Sequence, residues 1–179
     1  MENDRALLLS EYILETRAYW LEATDVTWET GLLRAYLNGE FYNSFGGGER
    51  ARIAQTRVSN KDNQWFGTPG GNDTDDYIFL LSLEEVVQYF GDSGQLANRP
   101  NDDPYNETWN IDDQYKEARM TTYRNGNLGT WWLRSPGANG RCVAAIDYYG
   151  GIRVGGTVVY SEITGEGNGG VRPAMWITL

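Results

Sequence analysis

Hydrophobic residues in the first half of the chain fall into short runs separated by polar, glycine-rich stretches. Runs of about four to eight apolar or β-branched residues between such stretches are typical of strands. On this pattern we predict strands at residues 6–13, 56–59 and 77–81. The last of these segments, YIFLL, is apolar throughout, which indicates a buried strand.

Apolar residues recur three and four positions apart over residues 29–37, which predicts a helix there. Thr27 or Thr30 is its expected N-cap, because a hydroxyl oxygen accepts a hydrogen bond from a free amide of the first turn. Asn38 and Gly39 are its expected end, because both residue types tolerate the left-handed conformation of a C-cap.

A capping box marks a second predicted helix. Ser82 is followed three residues later by Glu85 and then by apolar residues at helical spacing. Between the two helices, a glycine turn at 46–48 precedes a predicted helical turn at 50–55.

Two long polar segments are predicted to be loops. Residues 62–76 are rich in Gly, Asn, Asp and Pro, and residues 91–129 form a longer irregular loop. Within the second loop, residues 114–123 fit a helix and a strand equally well. Loops of this length in a compact domain are commonly functional or disordered.

The last third of the chain changes character, because glycines now separate short strand-like segments. After a predicted strand at 130–134, which Ser135-Pro136-Gly137 should end, branched residues recur every six positions at Ile146, Ile152 and Val158. Six is an even number, so we expect these three side chains to share one face of an extended chain.

The glycine pairs at 150–151 and 155–156 supply the positive φ angles that tight hairpins need. They predict a β-meander of three short antiparallel strands, at 143–148, 151–154 and 157–160, and residues 171–178 should close the sheet as its last strand. Helices early and strands late predict an α+β fold of one domain, with two or three short helices packed on antiparallel β-sheets.

Charge excludes some classes of function. The chain of 179 residues has 25 acidic against 15 basic side chains, a net charge of −10, and no run rich in Lys or Arg. We therefore expect no nucleic-acid partner, since phosphate binding needs clustered cations. No stretch reaches the roughly 20 apolar residues of a membrane-spanning helix, so no membrane insertion is expected.

Missing residue types exclude further chemistry. The chain has no histidine and one cysteine, Cys142. These absences remove Ser-His-Asp and Cys-His catalysis, His-containing zinc sites and an intramolecular disulfide. We therefore predict no catalytic residue and no enzyme activity.

Two acidic groups are the weak candidates for metal binding or carboxylate catalysis. Alternating oxygen ligands suit Ca²⁺, but the spacing in the first group lacks the central Gly and distal Glu of an EF-hand, which favours a solvated turn. Ca²⁺ binding there is left open, and no other cofactor is expected. The first group comprises Asn72, Asp73, Asp75 and Asp76, and the second comprises Asp102, Asp103, Asp112 and Asp113.

Polar and aromatic side chains on glycine-hinged turns are typical of adaptable binding surfaces. Seven Trp and twelve Tyr against five Phe fit that interpretation, although such residues also build cores. The predicted ligand-binding residues are Asn139, Arg141, Asp147, Tyr148, Tyr149, Arg153, Thr157, Tyr160 and Ser161. The predicted scaffold residues are Trp131, Trp132, Arg134, Gly150, Gly156, Arg172 and Trp176.

Several motifs carry a resemblance to a known family. The blocks WWLRSPG at 131–137 and GVRPAMW at 170–176 bracket V-x-x-x-G repeats, and ALLLS at 6–10 and IFLLS at 78–82 match the same pattern. Together they resemble C-type-lectin-fold domains of the formylglycine-generating-enzyme-like subgroup. This subgroup includes bacterial proteins of unassigned function and the variable proteins of diversity-generating retroelements. The resemblance covers nearly the whole chain outside residues 91–127.

The resemblance implies a C-type lectin fold whose C-terminal meander forms the ligand surface. In retroelement-diversified members, adenines of template codons mutate, and the resulting codons do not encode Lys, Gln, Glu, Trp or Met. None of these five residue types occurs between Ala138 and Tyr160. This agrees with a variable ligand-binding segment at 138–161.

The chain also departs from the family pattern. The enzyme of this fold uses two cysteines, which argues against formylglycine generation here. Sugar-binding C-type lectins coordinate Ca²⁺ through motifs that only Trp109-Asn110-Ile111-Asp112 approaches. Family domains have a further strand before ALLLS, so we expect a truncated or naturally short variant.

The leading expectation is therefore a non-enzymatic display domain that binds a protein or cell-surface ligand, with its oligomeric state left open. The alternatives are a carboxylate- or metal-dependent hydrolase and a structural module of a larger surface or phage protein. The start of the chain does not resemble a signal peptide, so the protein is intracellular or a leader preceded it. The resemblance favours a cell-surface, secreted or phage-associated location.

Overall fold

Residues 4–22, 24–100, 109–159 and 168–179 are described by the computed structural model, and they form an α+β fold of short helices and eleven strands. The helices are α1 (Leu32–Tyr36), α2 (Gly47–Arg50), α3 (Leu83–Phe90) and α4 (Lys116–Arg119), with a π-helical turn at Leu37–Phe41. The strands are β1 (Arg5–Leu9), β2 (Glu15–Ala18), β3 (Ile53–Ala54), β4 (Thr56–Val58), β5 (Thr74–Asp76), β6 (Asn110–Ile111), β7 (Trp131–Pro136), β8 (Cys142–Ile146), β9 (Ile152–Val158), β10 (Asn168–Val171) and β11 (Ala174–Thr178).

The strands of the described residues form three sheets. The largest has the order β2-β10-β7-β8-β9-β6, and all its neighbours are antiparallel except β10 and β7. A second sheet, β1-β11-β3, pairs the two ends of the chain, from Arg5 opposite Thr178 to Leu9 opposite Ala174. The third is the β4-β5 hairpin.

One core joins the large sheet to α1, α3 and the segment 78–81. Its centre is aromatic, since the Tyr19 ring lies 5.9 Å from that of Trp132 and 6.2 Å from that of Trp28. Trp131 and Trp132 are both buried in β7, which is buried along its whole length. This strand therefore fixes the position of the hairpin that follows it.

The helix predicted at 29–37 is present, but both of its predicted ends are wrong. It begins after Gly31, because Thr27 and Thr30 bond to each other in a turn and neither side chain caps the helix. It continues through Asn38 as a π-helical turn. The Asn38 amide is occupied by distant backbone, since it accepts from Tyr77 N at 2.7 Å and donates to Ile78 O at 2.9 Å.

That contact also explains why the strand predicted at 77–81 is wrong. The segment is buried as expected, but only Phe79 forms a single bridge, with Ala174. Its other backbone groups bond elsewhere, for example Leu81 O to Arg134 N at 3.0 Å. Tertiary contacts have replaced a regular ladder here.

The glycine turn and the helical turn predicted after it are shifted. Helix α2 includes Gly47, because the Glu49 carboxylate accepts from Gly46 N at 2.7 Å and caps the first turn. The predicted helical turn at 50–55 is instead the end of α2 followed by β3. In contrast, the capping box of Ser82 and Glu85 is confirmed, with both reciprocal bonds present.

The two predicted loops contain some regular structure. Residues 74–76 form β5, and the described part of 91–129 contains β6 and α4. For residues 114–123, where the sequence allowed a helix or a strand, the structure has the four-residue helix α4.

The meander has fewer strands than predicted. Strand β9 runs continuously through Gly155 and Gly156, so this glycine pair is not a hairpin turn. Between Val143 and Ala145 the register shifts, and one residue of β8, Ala144, lies opposite three residues of β9, at 154–156. Because side-chain alternation does not carry across such an irregularity, Val158 is 47% exposed, not buried like Ile152.

The closing strand predicted at 171–178 is two strands in different sheets. Strand β10 lies between β2 and β7, whereas β11 pairs with β1 and β3. Pro173 separates them, and its carbonyl accepts from Ser10 N at 3.0 Å. Proline has no amide hydrogen for a ladder, which explains the change of sheet at this position. Strand β7 also runs on through Ser135 and Pro136, which were expected to end it.

Candidate functional site

Seven of the nine predicted ligand-binding residues lie in or beside the hairpin of β8 and β9, whose strands are largely buried on both faces. Val143, Ala144, Ala145 and Ile146 of β8 are almost fully buried, as are Ile152 and Val154 of β9. Exposed side chains are therefore concentrated at the two ends of the hairpin. These ends lie roughly 17 Å apart, at about 3.3 Å per residue over five residues.

The first end is the turn from Asp147 to Gly151. The Asp147 carboxylate oxygen Oδ1 accepts from Tyr149 N at 2.9 Å and from Gly151 N at 3.0 Å, which closes the turn. Its other oxygen lies 3.8 Å from Arg153 Nε. Asp147 therefore holds the loop in one conformation, and its carboxylate has little capacity left for a ligand.

Two adjacent tyrosines project from this turn. Tyr148 is 43% exposed and Tyr149 is 62% exposed, with ring centroids 4.1 Å apart. Hydrogen bonding with Tyr149 raises the pKa of Tyr148, so the Tyr148 phenol is neutral near pH 7. We call Tyr148 and Tyr149 the tyrosine pair.

A buried ion pair supports the turn from below. The Arg119 guanidinium donates to Gly150 O at 2.7 Å and to the Asp113 carboxylate at 2.6 Å, and both charged side chains are fully buried. Burial by itself raises the pKa of Asp113, but hydrogen bonds from Arg119, Ser93 and the Tyr115 amide outweigh it and lower that pKa below its usual value. A Cβ atom at Gly150 would overlap the Lys116 carbonyl, so the turn is packed tightly on α4.

The second end lies beside Asn139 and Arg141, both exposed. The Asn139 side chain accepts from Arg141 N at 3.0 Å, and Arg141 O accepts from Val159 N at 3.0 Å. Thr157 is half-buried there. The other two predicted ligand residues, Tyr160 and Ser161, lie outside the described residues.

The single cysteine lies at the same end. Cys142 is half-buried, and burial raises the pKa of its thiol. The thiol is therefore protonated near neutral pH and weakly nucleophilic.

The first acidic group does not converge on one point. Asp76 is buried and accepts from Arg34 Nε at 2.7 Å, Trp28 Nε1 at 2.8 Å and Thr74 Oγ1 at 2.8 Å. Asp73 and Asp75 are on the opposite, exposed side of β5, where both face Arg57. Since successive strand residues point to opposite faces, these three carboxylates do not surround one ion. Asn72 donates to Glu29.

The second acidic group is also separated. Asp112 is exposed and forms an ion pair with Lys116 at 2.9 Å, whereas Asp113 is buried against Arg119. Asp102 and Asp103 lie outside the described residues. Within the ranges that the structure covers, no three His, Cys, Asp or Glu side chains are grouped closely enough to hold a metal ion.

The predicted scaffold residues lie mostly in the interior. Trp131, Trp132, Arg134 and Arg172 are buried, and Trp176 is half-buried. The Arg172 guanidinium lies 4.9 Å from the Trp131 ring centroid and donates to Ser10 O at 2.9 Å. Burial lowers its pKa to about 10.

Sequence reasoning missed one feature, a cleft of about 590 Å³ between β4, α3 and β11. Arg5, Arg57 and Lys61 line it together with Arg134 and Trp176. The three additional cations come from distant parts of the chain with no shared spacing, so no sequence signal groups them.

A comparison with protein families is decisive for the classification, because the domain of unknown function DUF6273 matches residues 3–179. The chain belongs to the DUF6273 family. No curated protein and no solved structure matches the chain. In the described residues of this DUF6273 domain, no helix is long and apolar enough to span a membrane.

Proposed function

We propose that this DUF6273 domain is a non-enzymatic display domain that binds a protein or cell-surface ligand through residues 138–161. The observation that carries the proposal is the contrast within one hairpin. Its strands are buried, while its two ends expose Asn139 and Arg141 on one side and the tyrosine pair on the other. Binding residues on loops held by a rigid scaffold are the common arrangement in recognition proteins.

The tyrosine pair is the proposed centre of contact. Tyrosine offers a large amphipathic surface at a small cost in side-chain entropy, and it is enriched at interfaces. The turn below the pair is already ordered by Asp147 and by Arg119, so binding would not have to order it. A partner that also reached Arg141 would span the hairpin, which fits the roughly 800 Å² per side of a protein interface.

We further propose that the fold is of the C-type lectin type. Three observations support this proposal. The two ends of the chain pair as antiparallel strands β1 and β11, helices α1 and α3 pack on the same core as the sheets, and a C-terminal hairpin follows the buried strand β7.

Retroelement diversification is proposed for the same segment, and the hairpin makes its test specific. Deep sequencing of the locus should show substitutions concentrated at exposed positions such as Asn139, Tyr148 and Tyr149, arising from adenine changes. Buried Val143 and Ile152 should stay apolar. Exposed positions elsewhere, such as Leu21, are the control, because general surface drift would change them equally. Equal variation at Leu21 would refute diversification.

Binding itself is tested by site-specific photo-cross-linking. A photoreactive side chain placed at Tyr149 should cross-link to a protein on the surface of intact cells. The same group placed at Leu21, which is similarly exposed, should not. The cross-link at position 149 should disappear on competition with excess wild-type protein and persist with a Y148A/Y149A competitor. Competition by both proteins alike would show that the tyrosine pair is not the binding surface.

A further inference from the structure

The cleft between β4, α3 and β11 lies apart from the exposed ends of the hairpin. Its volume of about 590 Å³ falls within the roughly 300–1,000 Å³ of small-molecule sites. Five elements contribute to its wall, since Arg5 comes from β1, Arg57 from β4, Glu85 from α3, Arg134 from β7 and Trp176 from β11.

The charge of the cleft is opposite to that of the whole chain. Four cations and two carboxylates line it, although the chain has a net charge of −10. Glu85 is bound by Arg134 through both carboxylate oxygens, and Glu84 accepts from Gln64 at 3.1 Å. Arg57 pairs with Asp75 at 3.2 Å. Within the described ranges, Arg5 and Lys61 have no ion-pair partner.

Arg134 adds a fixed cation to the inner wall. Its side chain is 3% exposed and donates to Leu80 O at 2.6 Å and to Ser59 O at 3.2 Å, besides Glu85. Its Nε is buried and has no hydrogen-bond acceptor among the residues described. Because Glu85 neutralises its charge, Arg134 gives the inner wall a fixed shape, and the charge open to a ligand is that of Arg5 and Lys61.

Three aromatic residues, Phe79, Tyr89 and Trp176, line the cleft beside Thr56, Val58, Ser59, Ser82 and Gln88. Phe79 is buried beneath the Arg134 guanidinium, whose carbon lies 5.7 Å from the ring centroid. Trp176 is half-buried and Tyr89 is exposed at the edge of the cleft. Aromatic side chains beside unpaired cations suit a ligand that has a ring with an apolar face and an acidic group.

We propose that this cleft binds a monosaccharide unit carrying one acidic group, such as a uronate or a sugar phosphate. The acidic group lies between Arg5 and Lys61, and the sugar ring packs against Trp176. This site is independent of the tyrosine pair, so either assignment stands without the other.

The test uses calorimetric titration of the full chain with D-glucuronate, D-glucose 6-phosphate and neutral D-glucose at low ionic strength. At least one of the acids should bind with a dissociation constant of about 1 mM, the range expected for a small ligand with few contacts. Glucose should bind at least about tenfold more weakly, which corresponds to about 1.4 kcal/mol. Equal binding of glucose, or no binding of either acid at about ten times that concentration, would overturn the proposal.

Matched variants locate the site. R5Q and K61Q should each weaken binding of the acid about three- to tenfold, since each removes one of the two cations proposed to hold the acidic group. R124Q is the control, because Arg124 is also an exposed arginine but lies outside the cleft. All three side chains are exposed, so folding should be unaffected, and thermal unfolding checks this. An equal loss in R124Q would show that only overall charge matters.

Discussion

At the scale of single residues, neighbouring aspartates have opposite roles. Asp112 is exposed and pairs with Lys116 at the surface, whereas Asp113 is buried and pairs with Arg119, which in turn holds the turn carrying the tyrosine pair. The two residues are adjacent in the sequence and have the same side chain, and they differ in burial and in the cation that they pair with. A surface pair contributes little to stability, whereas breaking a buried pair leaves an uncompensated charge in the interior.

We therefore predict that D113N lowers the free energy of unfolding at pH 7 by about 3–5 kcal/mol. D112N should stay close to wild type. The measurement is urea unfolding followed by tryptophan fluorescence. Similar values for the two variants would show that the Asp113–Arg119 pair is not a structural support.

The same pair determines a pH dependence. The pKa of Asp113 is lower in the folded protein than the usual aspartate value of about 3.9 in an unfolded chain. Its contribution to stability is therefore complete above about pH 4 and is lost as the pH falls through the folded-state pKa. The difference in the free energy of unfolding between wild type and D113N, measured by urea unfolding, should therefore decrease as the pH falls below about 4.

At the scale of elements, strand β9 depends on a backbone irregularity. The register shift beside Gly156 turns Val158 outward and leaves Val159 buried. Gly156 has a φ of +78°, and a Cβ atom there would overlap the Val143 carbonyl. Gly94 has the same φ of +78° but has open space around it.

These two glycines form a matched pair for mutation. G94A should cost only the left-handed strain of an L-residue, roughly 1–2 kcal/mol. G156A should cost about 1–3 kcal/mol more, because the strand must also shift to relieve the overlap. Chemical denaturation gives the free energy of unfolding of both variants. Equal losses of stability would mean that the strand removes the overlap with Val143 at no cost.

At the scale of the whole molecule, the first and last strands of the described residues lie side by side in one sheet. Strand β11 lies between β1 and β3, so residues near both termini share one sheet. Arg172 adds a side-chain link, since it bonds to Ser10 and packs against Trp131 of the large sheet. The anionic chain also concentrates cations in one cleft, which is a property of the folded molecule and of no single segment.

Local sequence signals predicted part of this structure correctly. The capping box at Ser82 and the strand beginning at Thr56 depend on neighbouring residues, and both are confirmed. Predictions failed where a distant group intervened. Asn38 does not end its helix because its amide binds the backbone of 77–78, and the apolar segment 77–81 is not a strand because its backbone bonds to several elements.

The candidate site shows the same division. Glycine spacing and the tyrosine-rich turn identified the hairpin from the sequence, because a turn is a local structure. The burial of β8 between its neighbours, and hence the concentration of exposed residues at the hairpin ends, depends on sheet order. The order of strands in a sheet depends on residues far apart in the chain, so no local sequence pattern predicts it.

The sequence by itself determined the α+β class and the start of helix α3 at Ser82, since these depend on local patterning and on nearest neighbours. Only the tertiary structure decided that Asp113 is a buried partner of Arg119, that β11 leaves the large sheet, and that Arg5, Lys61 and Trp176 share one cleft. The physical reason is that burial, ion pairing and sheet membership are set by groups far apart in the chain.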